Sequence, residues 1–511
     1  MTTRCRLTAA AALLCLAACG SSNGGDPSLT VSPASATTIA GSAATTFTAA
    51  LTNSTATVTW ALSGPGSITP TSGNSTAYTP PATVASATSA TLTASAGGLT
   101  PHATITINQP PAITVAGTLL NSAGAPMENM TVAIGSATAT SDTYGHFSFP
   151  NVTPPYDLGF LLPGPEPYVQ VYQGLTRSDP TIVHFFGGSG PVNSGTITGN
   201  ITGGDALPAP DARTSVAFGS PEASERNKAP TNPYSLGFGW NGPSATTGTV
   251  HALQWGPLSG LPTVYKGHGQ KTNVSVANGG TTNNVDIEMT AVSTETIAGT
   301  VSVPAGFTIG TTTLNIEFPD RATFMIASDS SANTTFDFAV PGSIGATAAI
   351  RTVAYSGPVG QTVTKVAGIQ PGSTGTTITV PAPSVPSAPA DGETGVTNAT
   401  EFTWTRLAGG IHIVTFAGPS GKPTYAVASA GTTTRIPDLA GLGQPLPGGT
   451  AYTWAIAGLA PFADMDALAG TSTLMPVVGP YTLSESEPRS FTTQSPPDPT
   501  ARSPREARRG R

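Results

Sequence analysis

Charge is what this chain has least of. Lysine and arginine number 20 and aspartate and glutamate 27, together 9% of 511 residues, where soluble proteins average roughly 25%. The formal net charge of −7 is spread thinly, so no field of the kind that recruits nucleic acid is present. Cysteine is scarcer still. Cys5, Cys15 and Cys19 all lie near the N-terminus, and a mature chain beginning at Cys19 can close no internal disulfide. Each domain must then be held by its own apolar core. Nor does that chain keep a cysteine set to ligate zinc. The apolar stretch at residues 7–18 falls short of the roughly 20 residues a spanning helix needs.

Thr, Ser, Gly, Ala and Pro take the place of charge, with 59 glycines and 48 prolines and a mean hydropathy near zero. That is not a highly charged disordered chain. It fits many short strands joined by Gly/Pro turns, with hydroxyl side chains on the wet faces. The length calls for several domains.

Arg4 and Arg6 precede the apolar stretch, as in a signal peptide. It ends Leu16-Ala17-Ala18-Cys19-Gly20, which resembles the lipobox of bacterial lipoproteins. The resemblance implies cleavage before Cys19, acylation of its sulfur and new amino group, and anchoring to a membrane through those chains. Gly20 stands where enterobacterial lipoproteins kept at the inner membrane carry Asp, so the resemblance implies the outer membrane, with the chain facing the periplasm or the cell surface. Ser21 to Gly25 read as a flexible tether.

Strand-like alternation follows. Thr45-Thr46-Phe47-Thr48-Ala49 and Val58-Thr59-Trp60-Ala61-Leu62 have period two. With Ala77-Tyr78-Thr79-Pro80-Pro81, this stretch resembles a bacterial Ig-like domain with Trp60 in its core. After Pro110-Pro111 come Val115-Ala116-Gly117-Thr118-Leu119 and Asp142-Thr143-Tyr144-Gly145-His146-Phe147. These resemble a carboxypeptidase regulatory-like domain, a transthyretin-type seven-stranded sandwich. The Asp142 motif reads as a turn in which the carboxylate caps amides, Gly145 relaxes φ and Phe147 re-enters the core. A lone carboxylate is not a calcium site. The opening recurs as Ile197-Thr198-Gly199-Asn200-Ile201 and Ile297-Ala298-Gly299-Thr300-Val301, which gives two further transthyretin-like modules. Beyond the Pro-rich residues 381–389, Phe402-Thr403-Trp404 and Tyr452-Thr453-Trp454 resemble a fibronectin type III domain. That resemblance implies Tyr452 and Trp454 on opposite faces of one strand, a corner hydrogen bond from Tyr452, and Trp404 in the core.

The expectation is an all-β chain of tandem β-sandwich modules (Ig-like, transthyretin-like, fibronectin type III-like) after a lipoprotein signal peptide. Its divisions are 1–18 signal peptide, 19–27 tether, 28–109 Ig-like, 110–190 carboxypeptidase regulatory-like, 191–292 and 293–383 transthyretin-like, 384–495 fibronectin type III-like, and 496–511 a disordered basic tail with five arginines.

No catalytic constellation is visible. His102, His146, His184, His251, His268 and His412 look scattered, there is no His-Glu-x-x-His and no Gly-x-Ser-x-Gly elbow (Gly20-Ser21-Ser22-Asn23-Gly24 has the spacing but belongs to the tether), and Gly418-Pro419-Ser420-Gly421-Lys422 has the wrong spacing for a phosphate loop. No metal or cofactor is expected. Two places read as binding candidates. One is an aromatic strip in the 191–292 module, with Trp240, Trp255 and Tyr265 as the ligand-binding candidates beside Lys266 and His268; the competing reading puts these rings in the core. The other is residues 458–488, a long insertion with a short helix at 461–468 and with Glu485 and Glu487, either functional or loose. The leading function is a non-catalytic, lipid-anchored envelope protein acting as spacer, adhesin or interaction partner of envelope or extracellular polysaccharide or protein. A carbohydrate-binding accessory lipoprotein using the aromatic strip comes second, and an unrecognised hydrolase third.

Overall fold

The computed structural model describes residues 25–185, 190–229, 231–357, 360–438 and 442–495. Residues 1–24, with the expected signal peptide and Cys19, and residues 496–511 lie outside them. The described residues form forty strands and one helix, Met465–Leu468. The chain is all-β, built of tandem β-sandwich modules, and divides into two compact units between Pro111 and Ala112.

In the first unit, one sheet runs Ser28–Ser32, Thr45–Thr52, Ser75–Thr79, Ser67–Thr69, and the other Ser35–Ile39, His102–Asn108, Thr88–Ser95, Thr59–Ser63. Alternation makes the core between them. Ala103, Ile105 and Ile107 point inward and are fully buried, while His102, Thr104 and Thr106 face solvent. Trp60 and Tyr78 are buried with them. Each spends its polar atom on a backbone carbonyl at 2.8 Å, Trp60 Nε1 on Gly73 and Tyr78 Oη on Pro65.

The second unit builds one seven-stranded sandwich three times. The recurring openings are the central strands Ile113–Leu120, Asn193–Gly199 and Thr294–Ser302 of three-stranded sheets. Each pairs antiparallel with a later strand (His146–Val152, Tyr234–Trp240, Thr335–Pro341) and parallel with a last one (Thr181–Val183, Thr281–Thr282, Thr376–Thr379). The shared glycine has a steric reason. A Cβ on Gly117, Gly199 or Gly299 would come 2.6, 2.1 or 2.0 Å from the carbonyl oxygen of Pro180, Val285 or Thr376. The facing sheets repeat too, in the order Ala137–Thr140, Thr131–Ile134, Tyr156–Leu162, Tyr168–Leu175; then Ser224–Lys228, Arg213–Gly219, Ala245–Gly256, Val264–Ala277; then Thr323–Asp329, Thr308–Glu317, Thr347–Tyr355, Gln361–Ile369. The Asp142 turn forms as its residues dictate. Oδ1 of Asp142 accepts from the amides of Tyr144 and His146, both at 2.8 Å, Gly145 has φ of 76°, and Phe147 is buried.

Residues 384–495 supply a last sandwich. Its larger sheet carries Thr424–Ser429, Ile411–Ala417 and Ala451–Ala460, the last flanked by Tyr481–Glu485 and Arg489–Thr493. Trp404 is buried. Tyr452 and Trp454 are not on opposite faces: side chains two apart on a strand share a face, and both rings are buried. Tyr452 lies parallel to Phe491 at 5.5 Å, and its hydroxyl, which faces that of Tyr425, makes no corner hydrogen bond to the backbone.

These modules are not beads on a string. Tyr168–Leu175 pairs in parallel with Thr424–Ser429, and Gln361–Ile369 pairs antiparallel with Tyr481–Glu485. One fourteen-stranded sheet therefore runs through residues from 110–190, 384–495 and 293–383, the Pro-rich stretch at 381–389 notwithstanding. The insertion at 458–488 does much of this joining. Its helix is shorter than 461–468, starting at Met465 behind the N-cap Asp464, which accepts from the Ala467 amide. Met465, Leu468 and Ala469 pack into the core around Val115 and Phe160. Asp466 accepts from the amides of Thr176 and Arg177. At the other end, Glu485 accepts from Gln361 and Glu487 from the Gly360 amide. The insertion is a clamp.

Candidate functional site

The aromatic candidates do not form a site. Trp240, Trp255 and Tyr265 are 1%, 3% and 2% exposed, so none presents a face to a sugar ring. Trp240 lies against Phe238 and donates its Nε1 to Pro243 O at 2.8 Å. Trp255 and Tyr265 pack into the core of the following module, and Tyr265 donates to Ala339 O there. The strand that carries Trp255 explains this. Val250 through Gly256 are buried without a break, which is what a strand covered on both faces shows. Lys266 is also engaged, with Asp205 and Asp211.

What the structure offers instead is a cleft of about 820 Å³ where the modules 191–292 and 293–383 meet. Arg213, Thr214 and Ser215 of the strand Arg213–Gly219 line it, together with Trp255, Leu207 and Pro208. Its two walls are sheet edges. Ser224–Lys228 ends one sheet, with Glu225 through Lys228 all exposed, and Thr323–Asp329 ends the other. Arg226 and Lys228, two apart, share a face of their strand. Arg226 reaches over to Met325 Sδ at 3.9 Å, and Arg213 donates to the Leu258 carbonyl. The lining thus holds three cations and neither carboxylate nor histidine. None of the three is in an ion pair among the described residues. Leu258 and Met325, 52% and 51% exposed, give it an apolar rim.

The same two modules meet at a joint outside the cleft lining. A Cβ on Gly219 would stand 2.2 Å from Ala322 N and 2.5 Å from Asp320 O, so the glycine admits the neighbouring module's turn. Ser224 Oγ donates to Arg321 O at 2.7 Å. His251 is buried and sets Nε2 2.8 Å from Asp320 Oδ2 and Nδ1 3.3 Å from Nε2 of His268. Phe318 stacks on both imidazoles. With Asp320 ionised, the network puts the His251 proton on Nε2 and makes its Nδ1 the acceptor for His268. Burial, aided by the neighbouring His251, pushes His268 down to about 4. Burial opposes the charge on Asp320, yet hydrogen bonds from His251 and the Ala322 amide outweigh it and hold that carboxyl below its ordinary value. Two of the histidines that look scattered in the sequence are therefore partners. The signal was present, since His251 and His268 sit on consecutive strands of one hairpin, in registers two residues apart.

No known protein family matches the sequence, and no curated protein is significantly similar to it. Solved structures do align. The TIE protein of Bacillus anthracis is 8% identical, with 71% of this chain and 76% of that one covered and a TM-score of 0.21. A three-Ig fragment of titin is 13% identical, with 50% and 98% covered and a TM-score of 0.14. Two B repeat units of the collagen binding protein of Staphylococcus aureus are 11% identical, with 70% and 97% covered and a TM-score of 0.12. Scores this low carry no argument, so the sandwich architecture rests on the strands described above.

Proposed function

We propose that this chain is a non-catalytic, lipid-anchored interaction protein of the bacterial cell envelope. Cys19 carries the acyl chains, residues 19–27 are the tether, and residues 112–495 act as one stiff body that presents the cleft between modules 191–292 and 293–383. In this reading 28–109 is the Ig-like module, the three repeated sandwiches are transthyretin-like, and 384–495 is fibronectin type III-like. The observation that carries the reading is the pairing of strands between modules. Main-chain hydrogen bonds across module boundaries, with a clamp inserted between two cores, give a scaffold that holds a surface in fixed geometry. The cleft lining supports holding a partner over transforming one: it offers cations, hydroxyls and apolar surface, without a base to activate a nucleophile. No helix of the described residues is long and apolar enough to cross a membrane.

Metabolic labelling with an alkynyl palmitate tests the anchor. The wild type should be labelled and sediment with membranes, whereas Cys19→Ala should be unlabelled and soluble. An unlabelled wild type contradicts the reading. Protease treatment of intact cells then separates surface from periplasmic display.

A further inference from the structure

The cleft has a property that its charge alone does not convey: one of its walls is an unused strand edge. Thr323–Asp329 is hydrogen-bonded on one side only, to Thr308–Glu317, with a bulge at Ile326. Among the described residues, no main-chain group from Met325 to Ser328 is engaged on the other side. The opposite wall differs. There the amides of Arg226 and Lys228 are taken by the side-chain oxygens of Glu225 and Asn227, so that edge is closed by its own residues, as exposed edges commonly are. A strand edge left open inside a concave surface, with a closed and cationic edge opposite, has the form of a receptor for one more strand.

We infer that the cleft binds an extended acidic polypeptide segment, which adds to the edge at Met325–Ser328 as a further strand. Main-chain hydrogen bonds supply the register, as in other strand-addition complexes. At about 3.3 Å per residue, four residues of this edge span about 13 Å, room for a short segment. Alternate side chains of such a segment point to opposite sides: one set lies toward Trp255 and Leu207, and the other reaches Arg226 and Lys228. Charge selects the occupant. Arg213, Arg226 and Lys228 face the cleft with no carboxylate among the lining residues, which favours Asp and Glu in the partner. The chain's own residues 496–511, with five arginines against Asp498 and Glu506, have the wrong sign. The lining also lacks an exposed aromatic face, the feature that a sugar ring would need. The inference rests on the interaction reading above and names its partner class.

The test uses the full mature chain carrying Cys19→Ser, so that its outcome is independent of anchoring. The probe is a fluorescein-labelled eight-residue peptide alternating Val and Glu, followed by fluorescence anisotropy. It should bind saturably. Replacing its Glu residues by Lys should abolish binding. N-methylation of alternate residues, which removes main-chain donors along one edge and leaves charge intact, should weaken it at least about tenfold, the equivalent of losing roughly 1.4 kcal/mol. The doubly reversed variant Arg226→Glu/Lys228→Glu, altered at exposed positions only, should lose binding as well. Equal binding of the N-methylated peptide would overturn strand addition and leave a mere cationic patch. Binding of an oligogalacturonate with no binding of the peptide would overturn the polypeptide assignment. Failure of both probes would overturn the cleft as a site, while the Cys19 labelling result would stand unaffected.

Discussion

Nζ of Lys365 stands 2.6 Å from Oε1 of Glu317, and both side chains are buried. The remaining contacts of the pair go to the insertion. Oε2 of Glu317 accepts from the Gly479 amide at 3.0 Å, Lys365 donates to Val477 O at 2.9 Å, and the ammonium lies 5.3 Å from the centre of the Tyr481 ring. A charge pair from the 293–383 module thus pins the loop that the last module sends over. Removing one partner leaves the other charged and dry, which costs about 3–5 kcal/mol, whereas replacing both by apolar side chains is often close to neutral. Urea titration should therefore find Lys365→Met and Glu317→Leu each much less stable than the double variant. A double variant as unstable as either single one would mean that the pair does more than satisfy itself.

Gly219 sets a second condition. With a Cβ placed 2.2 Å from the Ala322 amide nitrogen, Gly219→Ala must push the Asp320 turn away, and overpacking of this sort costs roughly 1–3 kcal/mol. Gly237→Ala in the same module meets nothing nearer than 3.9 Å and serves as the control. NMR titration of the imidazoles reports the joint directly. In Gly219→Ala the pKa of His268 should climb from about 4 back toward the ordinary histidine value. If it stays near 4 in both variants, the glycine does not govern the fit.

Acid should weaken the fold earlier than carboxylates alone would. His268, half-buried, and His412, buried, are both pushed down to about 4, in each case chiefly by their loss of solvent. His412 is committed as a neutral ring, accepting from the Leu407 amide and donating to Gly431 O. Above the ordinary value of 6.5 neither state holds a proton on these rings and their neutral burial costs no stability. Between 6.5 and about 4 the unfolded chain takes up protons that the folded chain refuses. Stability then falls with pH by up to about 1.4 kcal/mol per unit for each ring. Asp142, Asp320 and Asp391, held below their ordinary value, add their loss only at lower pH. Denaturation midpoints from pH 7.5 to 4.5 should slope downward, less steeply in His268→Gln. A flat profile would contradict the buried neutral rings.

Much of this was legible residue by residue. The alternation at His102–Asn108, the Asp142 turn and the glycine-bearing openings at Gly117, Gly199 and Gly299 are local rules, and the fold obeys them. Trp60 and Trp404 are large apolar rings on such strands and lie in cores. Contacts between modules escaped because no local rule encodes them. Lys365 meets Val477 across 112 residues, and Asp466 meets Thr176 across 290. Trp255 was half readable: the unbroken run Val250-His251-Ala252-Leu253-Gln254-Trp255 carries no solvent face, which argues for a strand covered on both sides. The placement of Tyr452 and Trp454 on opposite faces failed against the elementary period of a strand. The cleft had no signature at all, since its walls come from edges about a hundred residues apart that only packing brings together.

The interlocking of residues 112–495 is tested most directly by scanning calorimetry of the mature chain. Modules joined only by linkers unfold one at a time. A sheet continuous through residues from 110–190, 293–383 and 384–495, with the 191–292 module packed into the core of its neighbour, should unfold together. The expected trace has two transitions, a small one for the first unit and a large one for residues 112–495, the latter shifted as a whole by Lys365→Met. A separate transition for residues 384–495, unmoved by that substitution, would contradict the single body on which the proposed function depends.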